Sequence, residues 1–447
     1  MTMAADKQDK VLNCSSEREQ SGACSSSGER EKNQGKNFLN VPTLRFPEFK
    51  GEWNDYRLRD LCTFHSGGTP SIDNVEYWEG EIPFVSAVAM HNTHIEKTPL
   101  TLTEKGLRNG SKQLEAGNLL LLVRGSMLWN KIPICYNDVD VAFNQDVKGI
   151  VPNSKTTSLF LLNWIQSHEN RIKYMVTGTG IGAGKLDSED LLALNVKLPS
   201  LNEQKKIEKF LSLIDERIET QIRIIEDLKG ERKYLLEQLF CFPNERAPKL
   251  RLKGMTGEWQ KVKLSDIVER VTERNKANTC NRVLTIAAQY GLIDQQEFFN
   301  KQIASSDLTT YYLLHKGDFA YNKSYSGDYS WGAVKRLDKY DEGVLSSLYI
   351  CFRPNENVDS SFLCHYFEST KWYRGISEIS GEGARNHGLL NMSVDDYFNT
   401  LHRIPTQREQ KAVANVLNVL VDKIDIETEI LSNLQKQKSY LLKEMFI

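Results

Sequence analysis

Leu44-Arg45-Phe46-Pro47 followed by Gly51-Glu52-Trp53 decides the reading of this chain, because its core returns 206 residues later as Leu250-Arg251 followed by Gly257-Glu258-Trp259. At the same offset Leu58 and Asp60 return as Leu264 and Asp266. Further along, Pro199 with Glu203-Gln204-Lys205 returns as Pro405 with Glu409-Gln410-Lys411. Tyr234-Leu235-Leu236 and Phe240 return as Tyr440-Leu441-Leu442 and Phe446. Compositional bias would not hold one offset at both ends of a unit, so the chain is two diverged copies of one frame. Between the constant ends, over residues 62–190 and 268–396, the two sequences look unrelated.

The C-terminal end of each copy has a helical period. Apolar residues fall at 207, 211, 214, 218, 225, 228, 235 and 239, and again at 413, 417, 420, 424, 431, 434, 441 and 445. This alternation of four and three is an a/d seam, which predicts two long helices that pair with each other. An ordinary amphipathic core helix is the alternative. Gln221 and Arg232 fill the gaps in the first seam, Glu427 and Lys438 those in the second. An antiparallel pair with Arg232 facing Glu427 puts Gln221 opposite Lys438 and Leu228 opposite Leu431. A slip of one heptad would set charges against apolar neighbours, which is costly, so these four residues are expected to fix the register.

The inserts read as mixed α and β. Leu119–Val123, Val139–Phe143, Val283–Ala287 and Val344–Phe352 have strand composition. Ser158–Lys173 and Phe362–Ser377 carry apolar residues at helical spacing, and Asp187 or Ser188 is placed to cap a short helix. Residues 1–40 are rich in Ser, Glu, Lys, Gln and Gly and nearly lack large apolar groups, so they read as a disordered tail. The expected division is a globular domain over 41–198, a long helix over 199–242, a second domain over 243–404 and a second helix over 405–447. The fold class is α+β: two α/β domains in pseudo-two-fold arrangement, joined by two long antiparallel coiled-coil helices.

A content of 40% hydrophobic and 26% charged residues suits a soluble globular protein with two or three cores. The apolar runs have strand length, far below a membrane span, and the N-terminus has no apolar signal-peptide core. Eight scattered cysteines without a C-x-x-C pair suggest neither a zinc site nor a disulfide framework, so a reducing cytoplasm fits best. A formal charge of −2 argues against binding nucleic acid by bulk phosphate attraction. Basic residues focused on one face, or charge supplied by partners, would be needed.

From about residue 40 onward the sequence resembles the specificity subunit of type I restriction–modification enzymes. The residues that carry the likeness are the opening motif quoted above, Gly67-Gly68-Thr69-Pro70-Ser71 with Tyr77-Trp78 and Ile82-Pro83-Phe84-Val85-Ser86, and the junction Lys197-Leu198-Pro199 into Glu203-Gln204-Lys205. Tyr321-Asn322-Lys323-Ser324-Tyr325-Ser326 and Glu382-Gly383-Ala384-Arg385-Asn386-His387-Gly388 add to it in the second half. The resemblance implies that each insert is a target-recognition domain reading one half of a split double-stranded DNA sequence. It implies that the long helices set the distance between halves and dock two methylation subunits. Those subunits would hold S-adenosylmethionine, and separate restriction (motor) subunits would use ATP and Mg; this chain would bind no cofactor and carry no catalytic centre.

The residues themselves agree on the last point. Gly178-Thr179-Gly180-Ile181-Gly182-Ala183-Gly184-Lys185 fails the P-loop pattern at Thr179 and Leu186, and the dinucleotide pattern at Ala183. His91 and His94 lack a matched ligand set. Glu231-Arg232-Lys233 lies in the predicted long helix, and no two prolines are adjacent, so no Asn-Pro-Pro-aromatic methyltransferase tetrad exists. For DNA contact the candidates are Arg, Lys, Asn, Gln, Ser and Thr on strand-end and glycine-rich loops. In the first insert these are Gly68, Thr69, Arg124, Ser126, Asn144, Gln145, Thr179 and Lys185. In the second they are Lys323, Ser324, Tyr325, Arg385, Asn386 and His387. For each, a solvated loop or local turn bond is the alternative. A coiled-coil adaptor that assembles partners without reading DNA is the rival function.

Overall fold

The repeated residues are the joints of the molecule. In the computed structural model, which describes residues 40–180, 182–287, 290–299, 307–324, 329–380 and 390–447, Arg45 grips the Glu203 carboxylate through Nε at 2.7 Å and Nη2 at 2.8 Å. The Trp53 indole N–H donates to the same carboxylate at 3.3 Å. Arg251, Glu409 and Trp259 repeat the arrangement at 2.9, 2.7 and 3.2 Å. Both carboxylates are 2% exposed, and a carboxylate so far from water needs a forked cation and a further donor. Gln204 and Gln410, next in sequence, donate to the carbonyls of Pro199 and Pro405 at 3.0 Å each. Leu44 N–H donates to Glu444 O and Leu250 N–H to Gln238 O, at 2.8 and 3.0 Å. Those are last-turn carbonyls with no partner inside their own helix.

The two helices run Leu201–Leu239 and Gln407–Met445. At ~1.5 Å per residue each is roughly 58 Å long. They are antiparallel. Ile207 and Leu211, at the start of the first, share a core with Leu441, Leu442 and Met445, at the end of the second. Leu236 and Leu239 meet Val413, Ala414 and Leu417 at the other end.

The register differs from the expectation. Gln221 Nε2 donates to Glu427 O at 3.0 Å and to the Glu427 carboxylate, and Lys438 pairs with Asp215 at 2.6 Å. Neither Arg232–Glu427 nor Gln221–Lys438 is the pairing. The helices sit about one heptad from the expected alignment, in the slip that the seam charges were expected to forbid. Long side chains escape the penalty by reaching the flank of the seam, where Asp215 lies beside Ile214. Arg232 does not escape it: its Nε is buried without a hydrogen-bond partner. Gln221 and Glu427 are equivalent in the repeat, and equivalent residues can touch only at a two-fold axis. The pseudo-two-fold axis therefore passes between them.

The inserts share more than their sequences disclose. The first lobe orders Cys62–Ser66, Val147–Pro152, Leu119–Leu122 and Ile134–Asn137 in one antiparallel sheet, with His94–Ile95 on its edge. The second orders Val268–Arg270, Ile350–Pro354, Phe319–Asn322 and Ala333–Arg336 in the same way. A short antiparallel pair closes each lobe, Asn54–Arg57 with Asn195–Leu198 and Gln260–Lys263 with Leu401–Ile404. A helix packs beside each sheet, Ser158–Ser167 and Ser360–Glu368. Asp359 caps the second helix with bonds to Ser361 N (3.0 Å) and Phe362 N (2.9 Å). Thr157 caps the first at only 3.4 Å, and Glu208 of the long helix supplies the better acceptor to Phe160 N at 2.9 Å.

Several expected elements are shorter than their periodicity suggests. The expected strand over 344–352 is two strands, Glu342–Leu345 and Ile350–Pro354, separated by a turn in which Tyr349 N bonds Ser346 O. The expected helix over 158–173 breaks at His168, and that over 362–377 breaks between Glu368 and Tyr373, where Ser369 turns its hydroxyl onto Tyr366 O. Asp187 is the cap of Ser188–Leu192. Residues 1–39 of the expected tail, together with Tyr325, Arg385, Asn386 and His387, lie outside the described residues.

Candidate nucleic-acid interface

The central strand of the first lobe, Leu119–Leu122, is buried at every position. Two residues later the chain surfaces as Arg124-Gly125, which pairs with Gly184-Lys185 so that Arg124 and Lys185 lie side by side. Asp146 stands 3.8 Å from Arg124, and Asp187 3.7 Å from Lys185. These exposed pairs contribute little to stability and are easily exchanged for another anion. Asn144 accepts Asp146 N through Oδ1 at 3.1 Å, a tight turn that puts Gln145 outward. Thr69 donates to Gln145 Oε1 at 2.8 Å.

Gly67 and Gly68 make that approach possible. A Cβ on Gly67 would lie 2.1 Å from Phe143 O, and one on Gly68 2.3 Å from Gly110 O. Gly68 is thus a close-packing residue that positions Thr69. Thr179 also has a local task, since its hydroxyl donates to Ala183 O at 2.8 Å and closes the hairpin turn. Ser126 opens the short turn Ser126–Trp129. The glycine-rich run forms a hairpin, Thr177–Gly178 against Gly184–Lys185, and does not open a helix as a phosphate loop would.

Arg124, Gln145 and Lys185 line one open cleft of about 290 Å³, together with Lys148, Ser188 and two carboxylates, Asp187 and Glu189. Lys148 escaped the sequence reading; it alternates with buried Val147 and Gly149 on Val147–Pro152 and reaches Ser66 Oγ. Three cations and an amide on one face can hold a phosphate or read a guanine or adenine edge.

In the second lobe the equivalent strand, Phe319–Asn322, delivers Lys323 and Ser324. Asn322 Oδ1 accepts Ser324 N at 3.0 Å, and Lys323 O accepts Leu390 N at 3.0 Å. Lys323 lines a small cavity of about 50 Å³ with Arg270, Tyr312, Ser347 and Tyr349. Arg270, at the end of Val268–Arg270, is a cation the sequence reading passed over. His94, weighed as a metal ligand, instead meets the Asp138 carboxylate at 3.1 Å.

Residues 50–229 match the family model described as the type I restriction modification DNA specificity domain. The specificity subunit of the type I restriction enzyme EcoR124I/EcoR124II of Escherichia coli is 29% identical over 213 residues, 46% of this chain and 52% of that subunit's length. The MjaVIII specificity subunit of Methanocaldococcus jannaschii is 24% identical over 425 residues, 91% of this chain and 94% of its own.

Over residues 50–229, and at lower identity over most of its length, the chain is similar to the specificity subunits of type I restriction–modification enzymes.

The fold is similar as well. The crystal structure of a type I restriction–modification S subunit from M. genitalium superposes with a TM-score of 0.52, at 17% identity, over 91% of this chain and 99% of that one. Among the described residues no helix is long and apolar enough to cross a membrane. The motifs that carried the likeness and the residues named for DNA contact have different tasks. Arg45, Trp53 and Glu203 are joints bonded to one another, and buried Gln204 beside them bonds Pro199 O and Thr156, whereas Arg124, Gln145 and Lys185 face open space.

Proposed function

We propose that the chain reads a two-part double-stranded DNA sequence, one half with each lobe, and holds the methylation subunits of a type I complex on its helix pair. The domain over 41–198 reads one half and that over 243–404 the other. The observation that carries this reading is the equivalence of two strand-end sites. Arg124 follows Leu119–Leu122 and Lys323 follows Phe319–Asn322, at the same place in two like sheets. The lobes stand at opposite ends of an antiparallel pair whose two-fold axis lies at Gln221 and Glu427. A rigid spacer between two readers suits a split target with a fixed gap.

The chain contributes no chemistry of its own in this reading. The methylation subunits carry S-adenosylmethionine, the restriction subunits carry ATP and Mg, and the assembly works in the cytoplasm. With a charge of −2 the chain depends on its partners for part of its hold on DNA. The test is filter binding of the chain together with its methylation subunits, using random duplex and a duplex bearing a site methylated in the host. Preference for the cognate duplex by at least ~10³ supports the reading. Equal retention of both would favour a coiled-coil adaptor that ignores sequence.

A further inference from the structure

Of the seven tryptophans, Trp129 alone is exposed, at 49%; the others are buried or partly buried. Its indole N–H donates to Gly182 O at 3.0 Å. The far edge of the ring lies 3.9 Å from where a Cβ on Gly178 would sit. One side chain therefore touches the first arm of the glycine-rich hairpin and its turn. The arm Gly184-Lys185 is also held by Arg124-Gly125 and Leu128, and Thr179 bonds Ala183 O, but at the tip nothing among the described residues approaches within 4 Å of the Cβ positions of Gly180 and Gly182. Gly182 has a φ of +85°, open to glycine and strained for other residues. Glycine-rich turns lose the most backbone freedom on ordering, so a single latch has a large share in the order of this one.

We propose that Trp129 is a positioning residue that latches the glycine-rich turn and thereby sets where Lys185 and Arg124 meet the first half of the DNA target. Arg124 and Gly125 sit in the same short segment as Trp129 and pair directly with Lys185 and Gly184, so turn and cation pair move as one unit. The proposal rests on the reading of the first lobe as a DNA reader.

The test uses Trp129→Phe, which keeps an aromatic ring and deletes the N–H, beside Lys185→Ala, each assembled with the methylation subunits. Hydrogen exchange at Thr179, Gly180 and Gly182 reports the latch. Binding to duplexes altered in one half of the site at a time reports its consequence. Trp129→Phe is expected to speed exchange in the turn at least tenfold and to relax discrimination several-fold in the first half alone. A ring with a merely structural role would lower the melting temperature and leave the ratio between halves unchanged, and that result overturns the proposal, as does unchanged exchange. If exchange speeds up while both Trp129→Phe and Lys185→Ala leave DNA discrimination intact, the proposed consequence is overturned through the DNA-reading assignment and not through the latch.

Discussion

Phe446, the penultimate residue of the sequence, follows the second lobe and its helix, yet it packs in the core of the first lobe. It is 5% exposed, with its ring 5.2 Å from that of Phe160. Its equivalent in the repeat, Phe240, sits in the second lobe at 5.1 Å from Phe362. Each lobe is thus closed by the end of the helix that follows the other. Phe446→Ala removes a buried ring and leaves a cavity beside Phe160; such changes cost about 3–5 kcal/mol, and the low end, about 3, is expected because the ring keeps 5% exposure. That is roughly two orders of magnitude in the opening equilibrium of the structure it supports. Hydrogen exchange resolved by mass spectrometry separates the lobes. Amides of Leu119–Leu122 and of Phe160–Ile165 are expected to lose about a hundredfold protection, while Phe319–Asn322 and Ile350–Pro354 keep theirs. Phe240→Ala should give the mirror image. Loss in the second lobe from Phe446→Ala, with the first unaffected, would refute the crossed arrangement.

Burial pushes the Glu208 carboxyl up to about 7, against the opposing pull of the Phe160 amide and Lys205. A carboxyl raised in this way adds stability below about pH 4.5 and loses it as pH climbs through about 7. Discounted for its partial exposure, the loss is roughly 1–2 kcal/mol. Glu208→Gln keeps an acceptor for the Phe160 amide and removes the charge, so urea midpoints should drop less between pH 5 and 7.5 than in the parent; parallel curves would show that Glu208 does not titrate there. Lys438 finds Asp215, but the residue equivalent to Asp215 beside Arg232 is Val421. Val421→Asp should offer the half-buried guanidinium a partner and stabilise by about 1 kcal/mol, read from thermal unfolding, and the gain should vanish in an Arg232→Met background. An equal effect in both backgrounds would contradict the pairing.

The frame was legible because its joints tolerate only one chemistry. A buried carboxylate held by a forked arginine and an indole leaves Arg45, Trp53 and Glu203 no freedom, so the second copy kept Arg251, Trp259 and Glu409. The duplicated sheet was hidden because a core asks only for apolar volume. Leu119-Leu120-Leu121-Leu122 and Phe319-Ala320-Tyr321-Asn322 fill the same strand without one shared residue. The polar residues of the seam were legible but not their pairing: Asp215, the partner of Lys438, stands outside the a/d positions, and Arg232 Nε has no partner. At the interface, Arg124, Gln145 and Lys185 were visible as polar residues after apolar runs. Lys148 was hidden by its place within a strand, and the contact of Trp129 with the glycine turn depends on backbone geometry that spacing does not encode.

The measurement closest to the central claim is the map of methylated sites in a host carrying this chain with its methylation subunits, before and after residues 62–190 are exchanged for the insert of a similar specificity subunit. Two lobes that each read one half predict a new sequence in one half, with the other half and the spacing unchanged. A change in both halves, or in the spacing, would contradict it.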